Sequence, residues 1–576
     1  MAMKTNIDDL SRFHSNHHKH AHLRMDNNDQ HVQDTLAFDV ALISGKHKYT
    51  VPAANVKQCS LELHSYGFSG TLGFWLPNSQ QQDALITAFV SDSLIGLHLN
   101  ISPVMHLPDP APSPLSLVGL VKRKQVEEKI SGDVSGRPVC FRYYEIAFND
   151  AAQFLWTQHF PTQIYVDKTL RSIIEAQLSS QISMRFESPE LELVKPLQCL
   201  ALGNRDCFTP LSTGSSNRAS FYDFVIVFLL QHNAHLIYDY SDNSYLIADE
   251  KPKIDFNRGF LPYEILHLKS MWADIPRYSS RLLNGICANP ESILLPNDNA
   301  VTNIEMQYLL RESLQADVNA YKTLAREKHT DFGEQLDVVF SRWPLQDISP
   351  SGGFFVDDKI WGNNTLYGDK KYRIFSLFIE VSAVDCRAEK DLGDSETQYH
   401  FQYRALCELF DCRKPHLPCC IEPNYPLFVE ALVESVIGTE DDKTYDIVTN
   451  ESSGQFQYRV HIPLWQISIF VGFEADHMNN HFFFPLYRGA TVLLKVDCYQ
   501  AAIHKVLDWG KGVQLSLDTQ GNHILMGKHS RDETSFKHVY EEDKPVFSIK
   551  RVKENDTELL RLEEGSIILQ TCEESK

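Results

Sequence analysis

The chain has little that would hold it in a membrane. A helix that crosses a bilayer needs about 20 consecutive apolar residues. The densest apolar run in these 576 residues, FVIVFLL at 224–230, stops far short of that. The first residues carry no apolar core of the secretory-signal kind, so synthesis and folding in the cytosol are expected. Positive charge is scarce too: 54 Lys and Arg stand against 75 Asp and Glu, a formal net charge of −21. Nucleic acids and anionic membranes recruit basic surface, so neither is an expected partner, although net charge says nothing about the fold. Local signatures of catalysis are missing as well. There is no G-x-x-x-x-G-K-[ST] phosphate loop, no H-E-x-x-H helix and no G-x-S-x-G elbow. The twelve cysteines show no paired spacing, and in a reducing compartment they read as buried thiols. No catalytic residue, cofactor site or metal site is expected.

What is present is mostly short-period apolar alternation, the mark of strands. Residues 1–35 are polar and His-rich; His17, His18, His20 and His22 have the chemistry of metal ligands, but such tracts are expected to be disordered tails. From Phe38 onward, AFDVALISGKHKYTV and SLELHSYGFSGTLGFWL alternate apolar and polar residues between Gly and Pro breaks, as antiparallel strands do. RPVCFRYYEIAFND continues the pattern, and DKTLRSIIEAQLSS places Leu170, Ile173, Ile174 and Leu178 on one helical face. The stretch 302–328 carries the one long helical pattern. After it come further strands, then β-rich pieces with frequent turns that suit a small barrel. PVFSIK, TELLRL and GSIILQT close the chain as very short strands between charged turns; too few to enclose a core alone, they point to one face of an intertwined assembly. Cys407, Cys412, His416, Cys419 and Cys420 crowd together, but their spacing does not give the two close ligand pairs of a zinc site. They read as a packed strand end. Carboxylate pairs such as Glu563–Glu564 and Asp441–Asp442 read as solvated turns.

The segment 219–249, ASFYDFVIVFLLQHNAHLIYDYSDNSYLIAD, is the most informative. Ser220 with Asp223 three residues on is a helix-start signal. Phe221, Phe224, Val225, Phe228 and Leu229 form a helical stripe, while Ile226, Val227 and Leu230 fill other faces, so a nearly fully buried helix is expected. Asn233 stands where a left-handed cap is wanted. Two strands, HLIYDY and SYLIAD, follow as a hairpin.

This order of pieces resembles VgrG, the trimeric spike protein of type VI secretion systems, and the joined hub and needle proteins of contractile phage tails. The resemblance spans roughly residues 36–576. Its structural signature rests on Ser220, Asp223 and Phe224 opening the helix, Asn233 in the place of a family Gly, Tyr238 and Tyr240 as strand aromatics, and Ile247-Ala248-Asp249 closing the hairpin. Val227, Leu230 and Gln231 stand where the family carries an Arg and acidic residues, which marks a divergent member. ALVESVIGTEDDKTYDI, YRVHIPLWQ and FPLYRGATVLLKVDCYQ, with Pro485, Gly489, Val492, Leu493 and Val496, resemble the family's OB-fold barrel.

The resemblance implies a mainly β chain with an α+β hub. Two tube-like antiparallel β-barrels with inserted helix and hairpin regions would precede an OB-fold barrel and a short C-terminal trimeric β-prism. The expected boundaries are 1–35 for the tail, 36–190 for the first hub barrel, 191–300 for the helix–hairpin insertion, 301–420 for the second hub barrel, 421–505 for the OB-fold and 506–576 for the prism. The implied partners are two further copies of the chain, a hexameric Hcp-like tube protein, baseplate proteins, a PAAR-repeat tip protein and effector cargo. Ile567, Ile568 and Leu569 are the candidate tip contacts. The implied life history is assembly in the cytoplasm, followed by secretion or injection. Two other readings compete: a multidomain ligand binder whose OB-like barrel grips a sugar or single strand, and an enzyme of the tail-lysozyme kind.

Overall fold

The computed structural model describes residues 32–573 except 79–82, 105–113, 133–137, 204–218, 255, 257–258, 273, 285–290, 311–317, 320, 324–332, 345–347, 357–360, 362–364, 369, 440–441, 451–455, 474–483, 511–514, 516–518 and 530. The His-rich tail, with His17, His18, His20 and His22, lies outside the described residues. The chain is mainly β and falls into two compact units: Met1–Phe160, Thr169–Leu193 and Pro210–Pro423 form the first, and Pro161–Lys168, Val194–Thr209 and Asn424–Lys576 the second.

The first unit opens with six long strands: β1 (Val32–Ser44), β2 (Val56–His64), β3 (Gly67–Pro77), β4 (Ile95–Pro103), β5 (Leu115–Gly132) and β6 (Pro138–Asn149). Their alternation is the reason they are strands. In β4, Ile95, Leu97, Leu99 and Ile101 are buried while the residues between them turn outward, the period of two that a pleated strand imposes. Two helices, α1 (Ala151–Trp156) and α2 (Leu170–Ala176), lead to α3 (Phe221–His232), which is followed by the hairpin β7 (His235–Asp239) and β8 (Ser244–Ala248). As expected from the sequence, Leu170, Ile173 and Ile174 form the buried face of α2, but the helix ends at Ala176, and Leu178, expected on the same face, lies beyond it and is half-buried.

Five more strands of this unit join the same sheet: β9 (Ile265–Trp272), β10 (Glu334–Phe340), β11 (Gly353–Phe355), β12 (Lys371–Ala383) and β13 (Thr397–Leu409). The ring β13-β1-β4-β5-β6-β3-β2-β12 closes on itself through the β12–β13 ladder and makes an eight-stranded barrel. The β12–β13 hairpin does a second job with its other half. Residues 397–401 of β13 pair with β1, whereas 403–408 pair with β10; residues 376–382 of β12 pair with β2, whereas 371–373 pair with β11. One hairpin therefore serves two parts of a single twelve-stranded sheet, and the second part carries an aromatic cluster. Phe260 stacks on Phe354 at 4.8 Å and meets Phe340 at 5.5 Å, while Tyr403 packs between Phe340 and Trp343.

The long helical pattern at 302–328 is not borne out at its start. Glu305–Leu310 is a strand, paired in parallel with Ser279–Asn284, which in turn pairs with Glu291–Leu295. EMQYLL is rich in helix formers, but helix propensity is a weak prior that tertiary context overrides. Here Leu310 joins Leu282 and Leu295 in a small core with Tyr308 packed against it, and Arg281 clamps Glu305 through Nε and Nη2 at 2.8 and 2.6 Å. Farther along this stretch, 318–319 and 321–323 are helical.

In the second unit, β14 (Leu427–Val433), β15 (Phe456–Ile462), β16 (Ile467–Phe473), β17 (Thr491–Val496) and β18 (Ala501–Asp508) close a five-stranded barrel. The ring order is β14-β15-β16-β18-β17, and the β16–β18 contact is its one parallel pairing. Val429, Ala431, Val433, Val460, Ile462, Val471, Val492 and Leu494 fill it. Thr162–Thr169 and Val194–Ala201 pair with each other and add Ile164, Leu197 and Cys199 to the same core.

The chain then ends in a five-stranded antiparallel meander: β19 (Gly521–His529), β20 (Asp532–Glu541), β21 (Lys544–Lys553), β22 (Asp556–Glu563) and β23 (Ser566–Cys572). These strands are longer and more numerous than the three short pieces visible in the sequence. Among the described residues, Val539 and Val546 are the buried hydrophobics of this sheet, and they face each other across β20 and β21. No helix of the described residues is long and apolar enough to cross a membrane.

Candidate functional site

The signature segment is built as its residues dictate. Ser220 Oγ accepts from the Asp223 amide at 3.2 Å, and the Asp223 carboxylate accepts from the Ser220 amide at 2.7 Å, a reciprocal cap. The other Asp223 oxygen accepts from the Ile421 amide at 3.0 Å, so the same side chain ties the helix start to a distant loop. Phe224 is buried and lies 5.9 Å from Phe221, whose ring meets Trp156 of α1 edge-on at 5.1 Å. Val227 and Leu230, at the departures from the family pattern, are half-buried. Asn233 ends the helix at φ 54°, ψ 31°, the left-handed conformation that Asn tolerates better than most residues.

The turn into β7 and β8 delivers three tyrosines to the β2–β3 turn. Tyr240 donates its hydroxyl to the His64 and Gly67 carbonyls at 2.7 and 2.9 Å, and the Tyr238 ring packs on Phe68 at 5.4 Å. Tyr245 donates to Asp150, which also accepts from the Phe68 and Gln153 amides at 3.1 and 2.9 Å. Asp150 is fully buried, and burial pushes its carboxyl up to about 6. Gly67 sits at φ +149°, and a Cβ there would lie 2.4 Å from an Asp150 oxygen, so only glycine fits. Reasoning from the sequence missed Asp150; its one local signal was a capping residue between a strand and Ala151-Ala152.

The crowded cysteines differ in burial. Cys407 is buried in β13, burial raises the Cys412 and Cys420 thiols to about 12, and Cys419 is exposed. His416 donates to Glu408 at 2.7 Å, and no group of three or more His, Cys, Asp or Glu among the described residues is arranged to hold a metal.

Pro485 and Gly489 lie in the second unit, in the segment that enters β17. Pro485 is buried, and Gly489 is exposed at φ +84° with its amide on the Val433 carbonyl at 2.9 Å. The left-handed backbone at Gly489 turns the chain into register beside β14.

Ile567, Ile568 and Leu569 sit on the outermost strand, β23, which is exposed at every residue. Directly opposed residues of an antiparallel sheet share a face, so the register identifies what each face carries. Ile567 and Leu569 oppose Leu562 and Leu560; those oppose Phe547 and Ile549; Ile549 opposes Phe536, and Phe536 opposes Ile524. An apolar stripe thus crosses all five strands on one face. Ile568 belongs to the other, in line with Arg561, Ser548, Lys537 and His523. Ile567 and Leu569 are 72% and 78% exposed against 37% for Ile568, so the apolar face is the one the chain leaves uncovered at its end.

No protein-family model and no curated protein sequence matches the chain. Solved structures do. A chain of the Francisella PdpA–VgrG complex in its half-lidded form superposes with a TM-score of 0.68 at 14% identity, covering 99% of this chain and 94% of that one. The lidded form gives 0.69 at 15% identity over 99% and 84% of the two chains, and the lidless PdpA–VgrG complex 0.67 at 14% over 94% and 98%. The fold is VgrG-like.

The structure brings Ser220, Asp223, Phe224 and Asn233 together around one buried helix. Pro485 and Gly489, and separately Ile567 to Leu569, belong to the barrel and the terminal sheet of the other unit.

Proposed function

We propose that the chain is the structural hub and spike of a contractile injection machine of the type VI secretion kind, and that it works as a homotrimer. The observation that carries this reading is the apolar stripe of the terminal meander. Ile524, Phe536, Phe547, Ile549, Leu560, Leu562, Ile567 and Leu569 line one face, and the residues of the sheet itself leave it open. An uncovered sheet face of this kind needs a partner. Three copies, each turning its stripe to a common axis, bury it and form a three-sided prism. Residues 36–190, closed by the β12–β13 hairpin, serve as one hub barrel, 301–420 together with β9 as the other, the rest of 191–300 as their insertion, 421–505 as an OB-type barrel and 506–576 as the prism. Two barrels from each of three chains give a pseudo-sixfold ring able to seat on a hexameric tube protein, which resolves the symmetry mismatch. Baseplate proteins hold the hub, a PAAR-type tip caps the prism at Ile567, Ile568 and Leu569, and effectors ride along. Assembly takes place in the cytoplasm and contraction carries the spike out. The role is mechanical rather than catalytic. Light scattering on the purified chain tests the reading: the mass of three chains supports it, and a stable folded monomer at micromolar concentration overturns it.

A further inference from the structure

The hairpin β7–β8 and the second half of β12–β13 meet at a cavity that a mechanical role leaves unexplained. It holds about 10 Å³, near the size of one water. Ser65, His235, Lys251, Arg373, Glu408 and His416 are among its lining residues. Lys251 Nζ donates to Glu408 Oε1 at 2.6 Å, and His416 Nε2 donates to Oε2 at 2.7 Å. Burial works against the Glu408 charge, but these two partners hold its carboxyl well below the usual range, so Glu408 is an anion. Arg373, 5% exposed, donates Nη1 to the Pro252 carbonyl at 2.7 Å and lays its guanidinium over the Phe410 ring at 5.3 Å. Its buried Nε has no hydrogen-bond partner among the described residues. His235 is neutral: burial first, then the Lys251 charge, push its imidazole down to about 3. Two fixed cations therefore share one carboxylate around this cavity, with one guanidinium donor unsatisfied. Both an unpaired buried charge and an unmatched buried donor are strongly unfavourable.

We propose that this cavity binds one small monovalent anion, a halide such as chloride, against Arg373 Nε and the Lys251 ammonium. The anion balances the second cation and accepts from the free N–H. A phosphate or sulfate is too large for the space. The site lies within the first unit and does not depend on the spike assignment.

Bromide replaces chloride and scatters anomalously, so crystals of the full chain grown in bromide locate the anion directly. The expected result is an anomalous peak in contact with Arg373 Nε. In solution, chloride raises the apparent melting temperature above that in gluconate of equal ionic strength by about 2 °C, levelling off as the site fills. Arg373→Met and Lys251→Met each abolish that rise. If those variants do not fold, the bromide map of the unaltered chain decides. An ordered water with no bromide peak at Arg373 overturns the proposal, as does a chloride response that persists unchanged in both variants.

Discussion

Leu559 and Leu560 are neighbours in β22 that point to opposite faces of the terminal sheet, which makes them a matched pair of probes. Leu560 stands in the apolar stripe between Ile549 and Leu569; Leu559 stands between Lys550 and Gln570 on the other face. A carboxylate at 560 has no cation directly opposite it, the diagonal Arg551 being engaged by Glu558 at 3.4 Å, and the trimer would bring three of them to one axis. At roughly 3 kcal/mol for each uncompensated buried charge, Leu560→Asp costs on the order of 9 kcal/mol per trimer. That is more than six decades in the association constant. Leu559→Asp instead sets its carboxylate opposite Lys550, a cross-strand pair worth about 0.2–1 kcal/mol in its favour. Light scattering across a concentration series reads the outcome: Leu560→Asp runs as a monomer with the first unit still folded, while Leu559→Asp keeps the mass of the unaltered protein. Equal behaviour of the two variants, or a trimeric Leu560→Asp, would refute the assignment of the stripe to the axis.

Other expectations follow from the same geometry. Phe224→Ala should destabilise the first unit by about 3–5 kcal/mol, and an unchanged melt would mean that α3 is not a core element. Asn233→Gly should be neutral and Asn233→Val costly by about 1–2 kcal/mol, compared by urea midpoints. The His235 pKa lies near 3 in the folded chain, below its ordinary 6.5, so its contribution to stability is complete above pH 6.5 and is lost as pH falls toward 3. Glu408, also depressed, loses its contribution below about 4.5. Urea midpoints should therefore drop from pH 7 to 4, with a shallower slope in His235→Gln; parallel curves would sink the argument. Truncation after Glu541 should leave hub and five-stranded barrel folded but abolish capture of a tip protein, and a truncated form that still pulls down the tip would remove the terminal sheet from that role.

What could be read from the sequence was what is local. The helix 221–232 announced itself through Ser220, Asp223 and Asn233, because caps and stripes are set by residues a few positions apart. The small barrel showed as alternation in LFVEALV and FQYRVHI, since each strand buries every second residue. The strand at 305–310 was misread because its residues favour helices and only contacts with Leu282 and Leu295 make it a strand. Asp150 stayed hidden because its partners Phe68 and Tyr245 are 82 and 95 residues away. The uncovered face of the meander needed the register: alternation separated Ile567 from Ile568, but only strand pairing aligned Ile567 with Leu562 and Phe547.

The double use of the β12–β13 hairpin also sets a schedule for the ribosome. His64 of β2 and Ser376 of β12 bond to each other at 2.8 Å across 312 residues. The last of β1 to β6 ends at Asn149 and β12 begins at Lys371, so at roughly 5–20 residues per second of synthesis the six strands emerge about 11–44 seconds before the strands that close their ring. Until then β1 and β2 are open sheet edges, templates for pairing with other nascent chains. Slowing elongation between residues 150 and 370 should therefore raise the aggregated fraction even though it changes nothing in the finished fold.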